Sequence, residues 1–493
     1  MGRPALKDAA QKRSKRRKTL PNISLASLGC SKNLVDSEVM LGQLTRAGYN
    51  VVADHGDADV IIVNTCAFIG PAKEESIETI LDLARFKEDG RCDSLVVTGC
   101  MAQRYAHGLV AEMPEVDAVI GVHQYPRIVQ LLDRLRDRHE TLREIRRQPL
   151  PTDYSYPRVI TTPRHSVYLK IAEGCDRRCT FCIIPAIRGG QRSRTVDSLV
   201  EEARMLAGQG AVELNLISQD TTWYGKDLPE PARLEDLLAA LNGVEGVRWI
   251  RALYNHPVRF TDRLIHAFAD LERVCDYIDM PLQHISDPML DRMNRETTSK
   301  ETRALMKRIR ARMPEATLRT TFIVGFPGET EEDFVELYDF VEETRFDRMG
   351  VFMYSQEEQT PAARYDGQIP EPVKQERHDR LMALQREISL ERNRSFVGKT
   401  VDVLIDELAD EGHYTGRTAA DAPEVDNEVL VTGEGLAPGD FASVDIIDAM
   451  EYDLVGAVST GAPVPGGPNS QRGPNTQRGP NSQKFPAHSG TPA

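Results

Sequence analysis

The stretch SVYLKIAEGCDRRCTFC, residues 166–182, leads from an apolar run into a loop with three cysteines. A short apolar run bounded by turn residues predicts a buried β-strand. Five more runs of this kind follow, with amphipathic helical stretches between them: VELNLISQ, WIRALY, YIDMPLQ, LRTTFIVGF and FDRMGVFMY. This alternation predicts a partial or open α/β barrel over residues 166–396, with functional residues at the C-terminal ends of its strands.

Cys175, Cys179 and Cys182 all lie in the loop that follows the first of these strands. Three thiolates on so short a loop are able to bind three corners of a cubane iron–sulfur cluster, whereas structural zinc normally has four protein ligands. The fourth iron is then open, and S-adenosylmethionine can chelate it through its amino and carboxylate groups. We therefore predict a [4Fe-4S] cluster with S-adenosylmethionine. The alternatives are a zinc site completed by a distant histidine, or unrelated buried cysteines.

Amide side chains and glycines end other strands of the predicted barrel. Gln219 and Gln283 each close a strand, and Gly325 and Gly328 form a tight turn that would let the backbone approach an adenine. We predict these four residues as cofactor contacts, although such residues also serve as caps and turn formers. We assign no catalytic residue beyond the cluster ligands and interpret His284 as structural, since a lone histidine at a strand end is more often structural.

Residues 22–139 show a second alternation of apolar runs and helical stretches, which indicates a doubly wound parallel sheet. Cys30, Cys66 and Cys100 stand at the C-terminal ends of three of its predicted strands, in LGC, NTC and TGC. Such ends lie side by side at one edge of a parallel sheet, and the helix N-termini after them favour thiolates. We predict a second [4Fe-4S] cluster here. The alternative is three buried cysteines that act as small hydrophobic residues.

The remaining segments differ from these two domains in composition. Residues 140–165 are rich in proline and arginine and predict a linker, and residues 397–460 hold short alternating runs that predict a small β-barrel. Residues 1–21 form a basic arm, and residues 461–493 carry the repeats GPNSQR, GPNTQR and GPNSQK. Both end segments have little to bury, so we predict that they are disordered.

Cysteine use and charge add two expectations. The chain has no apolar stretch that could span a bilayer and no hydrophobic signal at its start, so we expect a cytoplasmic protein without membrane association. Cys92 and Cys275 have no context like that of the six other cysteines and are interpreted as ordinary residues. Residues 397–456 hold fifteen Asp and Glu against Lys399 and Arg417, a net charge of −13 that should repel nucleic acid.

The spacing CxxxCxxC at the end of the first barrel strand, with Phe181 before the last cysteine, resembles the radical S-adenosylmethionine superfamily. With the second triplet, residues 22–456 resemble the methylthiotransferases of this superfamily, which implies a C-terminal barrel of the TRAM type. The resemblance also implies that the barrel cluster generates a 5′-deoxyadenosyl radical and that the other cluster carries the sulfur. Two S-adenosylmethionine molecules would then convert C–H to C–SCH3.

Two branches of that family differ in substrate: adenosine in transfer RNA, or the β-carbon of an aspartate in ribosomal protein S-twelve (uS12). The stretch LGCSKNLVDSE at 28–38 resembles the ribosomal-protein branch, because the transfer-RNA branch usually has Gln-Met or a similar pair in place of Ser31 and Lys32. GRTAADAPEVDNEV at 416–429 resembles the ribosomal-protein branch as well. The resemblance implies uS12 and a one-electron donor, such as flavodoxin or ferredoxin, as partners.

Charge gives an independent argument for a protein substrate. A TRAM barrel that binds RNA needs Lys and Arg to neutralise phosphates. The acidic segment 397–456 instead suits a basic protein surface, which is typical of ribosomal proteins. Solubility alone would also explain an acidic surface. Methylthiolation of transfer RNA, and a non-catalytic iron–sulfur or zinc protein that binds ribosomes, are the alternative functions.

Overall fold

The computed structural model describes residues 20–136, 141–146 and 156–459. Most of the predicted basic arm, part of the predicted linker and the predicted repeat tail lie outside these ranges and stay predictions. The described chain forms a parallel sheet with helices, then a partial α/β barrel, then a closed β-barrel. This mixed α/β architecture confirms the predicted fold class. Within the described ranges, no helix is long and apolar enough to cross a membrane.

The N-terminal unit is a six-stranded parallel sheet with helices on both faces. Its strands are β1 (Asn22–Ser27), β2 (Asn50–Val51), β3 (Val60–Thr65), β4 (Ser94–Gly99), β5 (Ala118–Gly121) and β6 (Leu142–Glu144). Its helices are α1 (Ser31–Arg46), α2 (Gly70–Ala84), α3 (Phe86–Asp89), α4 (Cys100–Glu112) and α5 (Ile128–Arg136). Neighbouring residues of β3, such as Ile61 and Ile62, pack into separate hydrophobic clusters on the two faces. Burial on both faces explains why this strand is a continuous apolar run.

The order of the strands places the cysteines of this unit together. The sheet runs β2-β1-β3-β4-β5-β6, so the order reverses between β1 and β3. In open α/β sheets, ligands bind in the crevice at the carboxyl ends of the strands beside such a reversal. Cys30 follows β1, Cys66 follows β3 and Cys100 follows β4. All three predicted ligands therefore lie at this edge of the sheet.

Part of the predicted linker 140–165 belongs to the N-terminal unit, which corrects that boundary. Residues 142–144 form β6, which pairs in parallel with β5 and buries Leu142. Three residues at a sheet edge are too few to display a strand period, so the sequence pattern missed them. Further along, Arg158 donates a hydrogen bond to buried Glu38 of α1 (Nε to Oε2, 2.7 Å). This end of the linker is therefore anchored to the first sheet.

The central unit is a partial barrel with six parallel strands in chain order, as predicted. These strands are β7 (Ser166–Lys170), β10 (Glu213–Ile217), β11 (Trp249–Ala252), β12 (Tyr277–Asp279), β13 (Thr317–Val324) and β14 (Arg348–Met353), and the short pair β8 (Ala172–Glu173) and β9 (Arg192–Ser193) lies beside them. The helices are α6 (Ile184–Arg188), α7 (Val196–Gly208), α8 (Leu234–Asn242), α9 (Asp262–Asp270), α10 (Asp287–Arg292), α11 (Ser299–Arg312), α12 (Glu331–Thr344) and α13 (Glu371–Arg394). Backbone hydrogen bonds from Ile250 to Arg273 (2.7 Å) and from Cys275 to Ile250 (2.9 Å) join the two three-stranded halves.

The C-terminal unit is a closed barrel of five strands. They are β15 (Thr400–Asp410), β16 (His413–Thr418), β17 (Val429–Thr432), β18 (Phe441–Ala449) and β19 (Leu454–Val458), in the order β15-β16-β17-β19-β18. The first four match the alternating runs TVDVLIDE, HYTGRT, NEVLVTG and DFASVDIIDA, which predict strands. The sequence pattern missed β19, in which only Leu454 and Gly456 are buried. It pairs in parallel with β17 and antiparallel with β18, and so closes the barrel.

Several carboxylates of this acidic barrel face the central unit. Asp421 binds Arg348 (2.7 Å), and Asp426 binds Arg319 (3.2 Å) and also accepts a hydrogen bond from Tyr277. These ion pairs fasten the two barrels together. Part of the negative charge counted from the sequence is therefore neutralised inside the molecule.

Candidate functional site

The C-terminal edges of the first sheet and of the partial barrel face each other. Asp36 of α1 forms a buried ion pair with Lys170, the last residue of β7. Lys32 Nζ lies 3.0 Å from the centroid of the Tyr254 ring, just beyond the end of β11. Because each cysteine triplet follows strands that end at one of these edges, the two triplets lie on facing sides of a shared interface.

The first triplet is positioned by two helix starts and one close backbone approach. Cys30 is the N-cap of α1, and Cys100 is the first residue of α4, so partial positive charge from both helices falls on these thiols. Gly29 has φ +85°, and a Cβ there would lie 2.7 Å from Cys66 Cβ and 3.0 Å from its Sγ. Only glycine lets the strand β1 segment approach Cys66 this closely.

Two thiols of the first triplet, Cys66 and Cys100, are buried, whereas Cys30 is exposed. Burial, with a smaller contribution from the neighbouring Cys30, raises the pKa of the Cys66 thiol and raises that of Cys100 to about 12. Arg188 acts in the opposite direction on both thiols. Thiols of this kind become ligands only when a cation replaces their protons, and they then bind it in a site shielded from water.

The second triplet lies on a loop that is closed at its base by the β8–β9 pair. The Cys175 N–H donates to the Gly189 carbonyl (3.0 Å), and the Cys182 N–H donates to the Cys179 carbonyl (3.1 Å). Gly174 has φ +81°, and a Cβ there would lie 2.2 Å from the Gly190 carbonyl oxygen. A side chain at this position would therefore push the two ends of the loop apart.

Donors surround the thiols of the second triplet. The backbone N–H of Arg177 donates to Cys175 Sγ (3.4 Å), and Arg295 Nη1 donates to Cys179 Sγ (3.3 Å). Burial raises the pKa of Cys175 and of Cys182 to about 12, so both thiols carry protons at neutral pH in the absence of a metal. Hydrogen-bond donors and cations at this loop are suited to an anionic cluster with thiolate ligands.

Unpaired buried polar atoms beside this loop fit a bound ligand. In the described part of the chain, Gln219 Oε1, Arg177 Nη2, His256 Nε2 and Arg295 Nε are buried without a hydrogen-bond partner. Burial lowers the pKa of His256, and the positive charges of Arg295, Arg177 and Arg259 lower it further. The unpaired nitrogens of Arg177 and Arg295 are donors that a carboxylate-bearing ligand would satisfy, and Gln219 Oε1 is an acceptor that a donor on the ligand would satisfy.

The geometry differs from that of a site for one metal ion. Across the ranges that the structure describes, no three His, Cys, Asp or Glu side chains converge closely enough to hold a single ion. A cubane binds each thiolate through a different iron, so its ligands stand further apart than those of one zinc ion. Each triplet offers the three thiols that a cubane cluster with one open iron would need.

The four predicted cofactor contacts occupy different surroundings. Gln219 donates to Glu173, just before the cysteine loop (Nε2 to Oε1, 3.1 Å). Gln283 follows β12 and has φ +75°, a strained conformation for a residue other than glycine and one that often marks functional sites. Gly325 and Gly328 also have positive φ values. Their role as cofactor contacts stays a prediction.

Close packing provides a structural reason for both glycines. A Cβ on Gly325 would lie 2.3 Å from Lys374 Cγ, and one on Gly328 would lie 3.1 Å from Arg292 Nε. Phe326, in the same turn, packs edge-on against Phe181 of the cysteine loop, with ring centroids 6.5 Å apart. The turn therefore adjoins the second triplet.

Three residues interpreted as ordinary are all buried. His284 accepts a hydrogen bond from the Ser286 N–H at Nδ1 (3.0 Å), and Cys92 donates to the Ser94 carbonyl (3.3 Å). Cys275 packs in a hydrophobic cluster with residues of the partial barrel. These contacts are of the kind that structural residues make.

Sequence reasoning missed a group of buried charges between the triplets. Asp36, Lys170, Glu173 and Arg188 are each less than a tenth exposed, and Arg188 Nη1 lies 3.1 Å from Asp36 Oδ2 and 2.8 Å from Glu173 Oε1. Each of the four lies within six residues of a predicted cysteine ligand or of a strand end. That proximity is the only feature of the sequence that could have singled them out. Two cations and two carboxylates thus compensate one another inside the interface.

Comparison with known families agrees with this architecture. Residues 22–121 match the model described as uncharacterized protein family UPF0004, residues 169–341 match the radical SAM superfamily, and residues 397–458 match the TRAM domain. Fold and site thus define a radical S-adenosylmethionine methylthiotransferase, a class that uses a [4Fe-4S] cluster and S-adenosylmethionine. The chain belongs, more narrowly, to the ribosomal protein uS12 methylthiotransferase family, RimO.

Curated relatives match over nearly their whole length. The uS12 methylthiotransferase of Geobacter sulfurreducens is 48% identical over 88% of this chain and 98% of its own length. The same enzyme of Pelotomaculum thermopropionicum is 50% identical, and that of Clostridioides difficile 49% identical, with the same coverage. These matches confirm the predicted resemblance to the ribosomal-protein branch.

A solved structure shares the fold. The radical S-adenosylmethionine methyltransferase TsrM from Kitasatospora setae, with cobalamin and a [4Fe-4S] cluster bound, superposes with a TM-score of 0.51 at 15% identity. The match covers 78% of this chain and 76% of that chain. The likeness is one of fold.

Proposed function

We propose that this chain inserts a methylthio group at the β-carbon of an aspartate in ribosomal protein uS12. Two [4Fe-4S] clusters serve the reaction, and their ligands are the barrel triplet and the N-terminal triplet: Cys175, Cys179, Cys182, Cys30, Cys66 and Cys100. The observation that carries the proposal is the interface between the triplets, where Asp36 of α1 pairs with Lys170 and Arg188 of the barrel. Relatives named uS12 methylthiotransferases support the choice of substrate.

The chain's own residues would prepare the barrel site for its ligands. When bound there, a [4Fe-4S] cluster and S-adenosylmethionine supply the radical, and a second cluster at the N-terminal triplet supplies the methylthio sulfur. Arg295 donates to Cys179 Sγ at 3.3 Å and would stabilise a thiolate there. The unpaired nitrogens of Arg177 and Arg295 would bind a carboxylate.

The four predicted cofactor contacts would line the same space. Gln219 Oε1 is buried without a partner in the described chain, so a donor on S-adenosylmethionine would satisfy it. Gln283 and the Gly325–Gly328 turn would place backbone beside the adenine. Hydrogen-atom abstraction creates no charge at the reacting carbon, so none of these residues needs to act as an acid or base.

The exposed face of the C-terminal barrel suits a basic protein. Asp421 and Asp426 are used in ion pairs with the central unit, yet nine other carboxylates remain exposed. These residues are Glu407, Asp410, Glu411, Glu424, Glu428, Glu434, Asp440, Asp448 and Glu451. Exposed negative charge attracts a basic ribosomal protein and repels RNA phosphates. The enzyme would work in the cytoplasm with a one-electron donor such as flavodoxin or ferredoxin.

A two-substrate assay tests the proposal. The reconstituted enzyme is incubated anaerobically with S-adenosylmethionine, a reductant and either uS12 or transfer RNA, and each product is measured by mass spectrometry. We expect a methylthio group in place of one hydrogen on uS12 and unchanged RNA. A gain on transfer RNA alone would contradict the choice of substrate. Zinc in place of iron in anaerobic metal analysis would contradict the enzyme itself.

A further inference from the structure

The buried guanidinium of Arg188 links the two cysteine sites. Arg188 is the last residue of α6, six positions after Cys182, and it is 2% exposed. Its Nη1 lies 2.8 Å from Glu173 Oε1 and 2.9 Å from Glu173 Oε2, in the segment that precedes the cysteine loop. The same nitrogen lies 3.1 Å from Asp36 Oδ2 on α1. One side chain of the barrel thus reaches into the N-terminal unit.

On its other side, Arg188 binds Asn33, which contacts the segments that carry the first triplet. Its Nη2 donates to Asn33 Oδ1, and the Asn33 amide donates to the carbonyls of Leu28 and Thr65 at 3.0 Å each. Leu28 stands two residues before Cys30, and Thr65 directly precedes Cys66. Asn33 Oδ1 also lies 3.8 Å from the Sγ of Cys100. All three cysteine segments therefore converge on this one amide.

The electron balance of the proposed reaction gives the positive charge of Arg188 a role. A carbon radical that forms a bond to a methylthiolate leaves one electron in excess, and that electron must be accepted where the sulfur is bound. In a low-dielectric interior, a nearby cation stabilises an added electron and a nearby carboxylate destabilises it. Arg188 is buried and donates to Asn33, whose Oδ1 lies 3.8 Å from Cys100 Sγ, so its positive charge lies close to the sulfurs of this triplet.

We propose that Arg188 is a positioning residue that fixes Asn33 and sets the reduction potential of the cluster bound by Cys30, Cys66 and Cys100. This inference rests on the second cluster of the proposed function. It adds an electrostatic connection between the two sites: Glu173, which accepts from Gln219 beside the second triplet, is also a partner of Arg188.

The test uses the full chain with Cys175, Cys179 and Cys182 all replaced by alanine, so that only the N-terminal cluster can form. Iron content and the midpoint potential, followed by electron paramagnetic resonance during a redox titration, are measured in this parent and in its Arg188→Gln form. We expect the loss of positive charge to lower the equilibrium constant for reduction at least tenfold, which corresponds to about 59 mV for one electron.

Three further variants separate an electrostatic role from a structural one. Arg188→Lys keeps the positive charge, so its equilibrium constant for reduction should stay within about threefold of the parent value. This variant tests the inference even if Arg188→Gln loses iron. Glu173→Gln removes an opposing charge and should shift the potential upward. Arg192→Gln, a control whose guanidinium donates to the carbonyls of Arg188 and Gly190, should leave it unchanged.

Two results would overturn the inference, and they differ from failure of the proposed function. The first is an unchanged potential in Arg188→Gln with full iron content. The second is an Arg188→Lys form whose potential falls although the charge is retained. A parent without iron would instead refute the second cluster itself, and the inference with it.

Discussion

Glu213 of the partial barrel and Arg417 of the C-terminal barrel form a fully buried ion pair, with Arg417 Nη2 2.9 Å from Glu213 Oε2. Arg251 binds the same carboxylate from the neighbouring strand β11 (Nη2 to Oε1, 3.1 Å). Each arginine reaches a further group of the C-terminal barrel: Arg417 pairs with Asp406, and Arg251 donates to the Ala419 carbonyl. A charge network centred on the buried carboxylate of Glu213 therefore fixes the position of the C-terminal barrel.

Replacing Glu213 by glutamine should destabilise the protein. Removing one partner of a buried ion pair leaves the other charges uncompensated and typically costs about 3–5 kcal/mol in the free energy of unfolding. Chemical denaturation of Glu213→Gln at neutral pH measures the loss. Glu391→Gln is the matched control, because its pair with Arg345 is exposed at the surface and should contribute little.

The same pair should make stability depend on pH in the acid range. Burial opposes ionisation of Glu213, but Arg417 and Arg251 outweigh burial and lower its pKa from 4.5 to about 2. A depressed pKa contributes stability above pH 4.5, and that contribution is lost as the pH falls toward 2. The free energies of unfolding of the wild type and of Glu213→Gln should therefore approach each other as the pH falls from 4.5 toward 2. A gap that stays constant down to pH 2 would refute the assignment.

Gly29→Ala should empty the N-terminal cluster site. Both Gly29 and Gly398 have positive φ values (+85° and +82°), so alanine at either position costs about 1 kcal/mol in backbone strain. Only at Gly29 would the new Cβ meet another residue, at 2.7 Å from Cys66 Cβ, whereas nothing lies within 4 Å at Gly398. We expect Gly29→Ala to lose about half of the bound iron and Gly398→Ala to keep it. Equal iron in both variants would contradict the predicted geometry.

Cys179→Ala should abolish cleavage of S-adenosylmethionine. Loss of one of three thiolates removes the barrel cluster, so iron should fall from about eight to about four atoms per chain. Cys92→Ala is the control, because its thiol contacts the Ser94 carbonyl and has no proposed ligand role. Formation of 5′-deoxyadenosine, measured by liquid chromatography, should be absent in the first variant and normal in the second. Continued cleavage by Cys179→Ala would exclude the barrel loop as the radical site.

Cys100→Ala should separate radical formation from sulfur insertion. The barrel triplet is intact in this variant, so 5′-deoxyadenosine should still form while uS12 gains no methylthio group. The products are quantified in one reaction, by chromatography for the nucleoside and by mass spectrometry for the protein. Normal methylthiolation by Cys100→Ala would show that the N-terminal triplet does not supply the sulfur.

The elements that the sequence predicted best are the longer apolar runs. The run VIIVNT of β3 and the six barrel strands are apolar and bounded by turns, so their existence and order follow from pattern alone. The placement of Cys30, Cys66 and Cys100 at one sheet edge follows from the same parallel order. Short edge elements were missed, since β6 has three residues and β19 buries only two of its five.

The sequence pattern could not predict the contacts between domains. Arg188, Asp36 and Glu173 are ordinary charged residues in the sequence, and only the folded chain brings them together between the two triplets. The acidic C-terminal segment gives a second example. Its net charge predicted an open negative surface, yet Asp421 and Asp426 are buried against arginines of the partial barrel. Composition counts charges without showing which face they occupy.

The most direct test of the proposed reaction follows the hydrogen atom that is removed. The enzyme is given uS12 in which the β-carbon of the target aspartate carries deuterium, with unlabelled S-adenosylmethionine and a reductant. We predict that the 5′-deoxyadenosine formed contains one deuterium for each methylthio group found on uS12. Methylthiolated uS12 together with unlabelled 5′-deoxyadenosine would contradict the account, because the radical would then have taken its hydrogen from elsewhere.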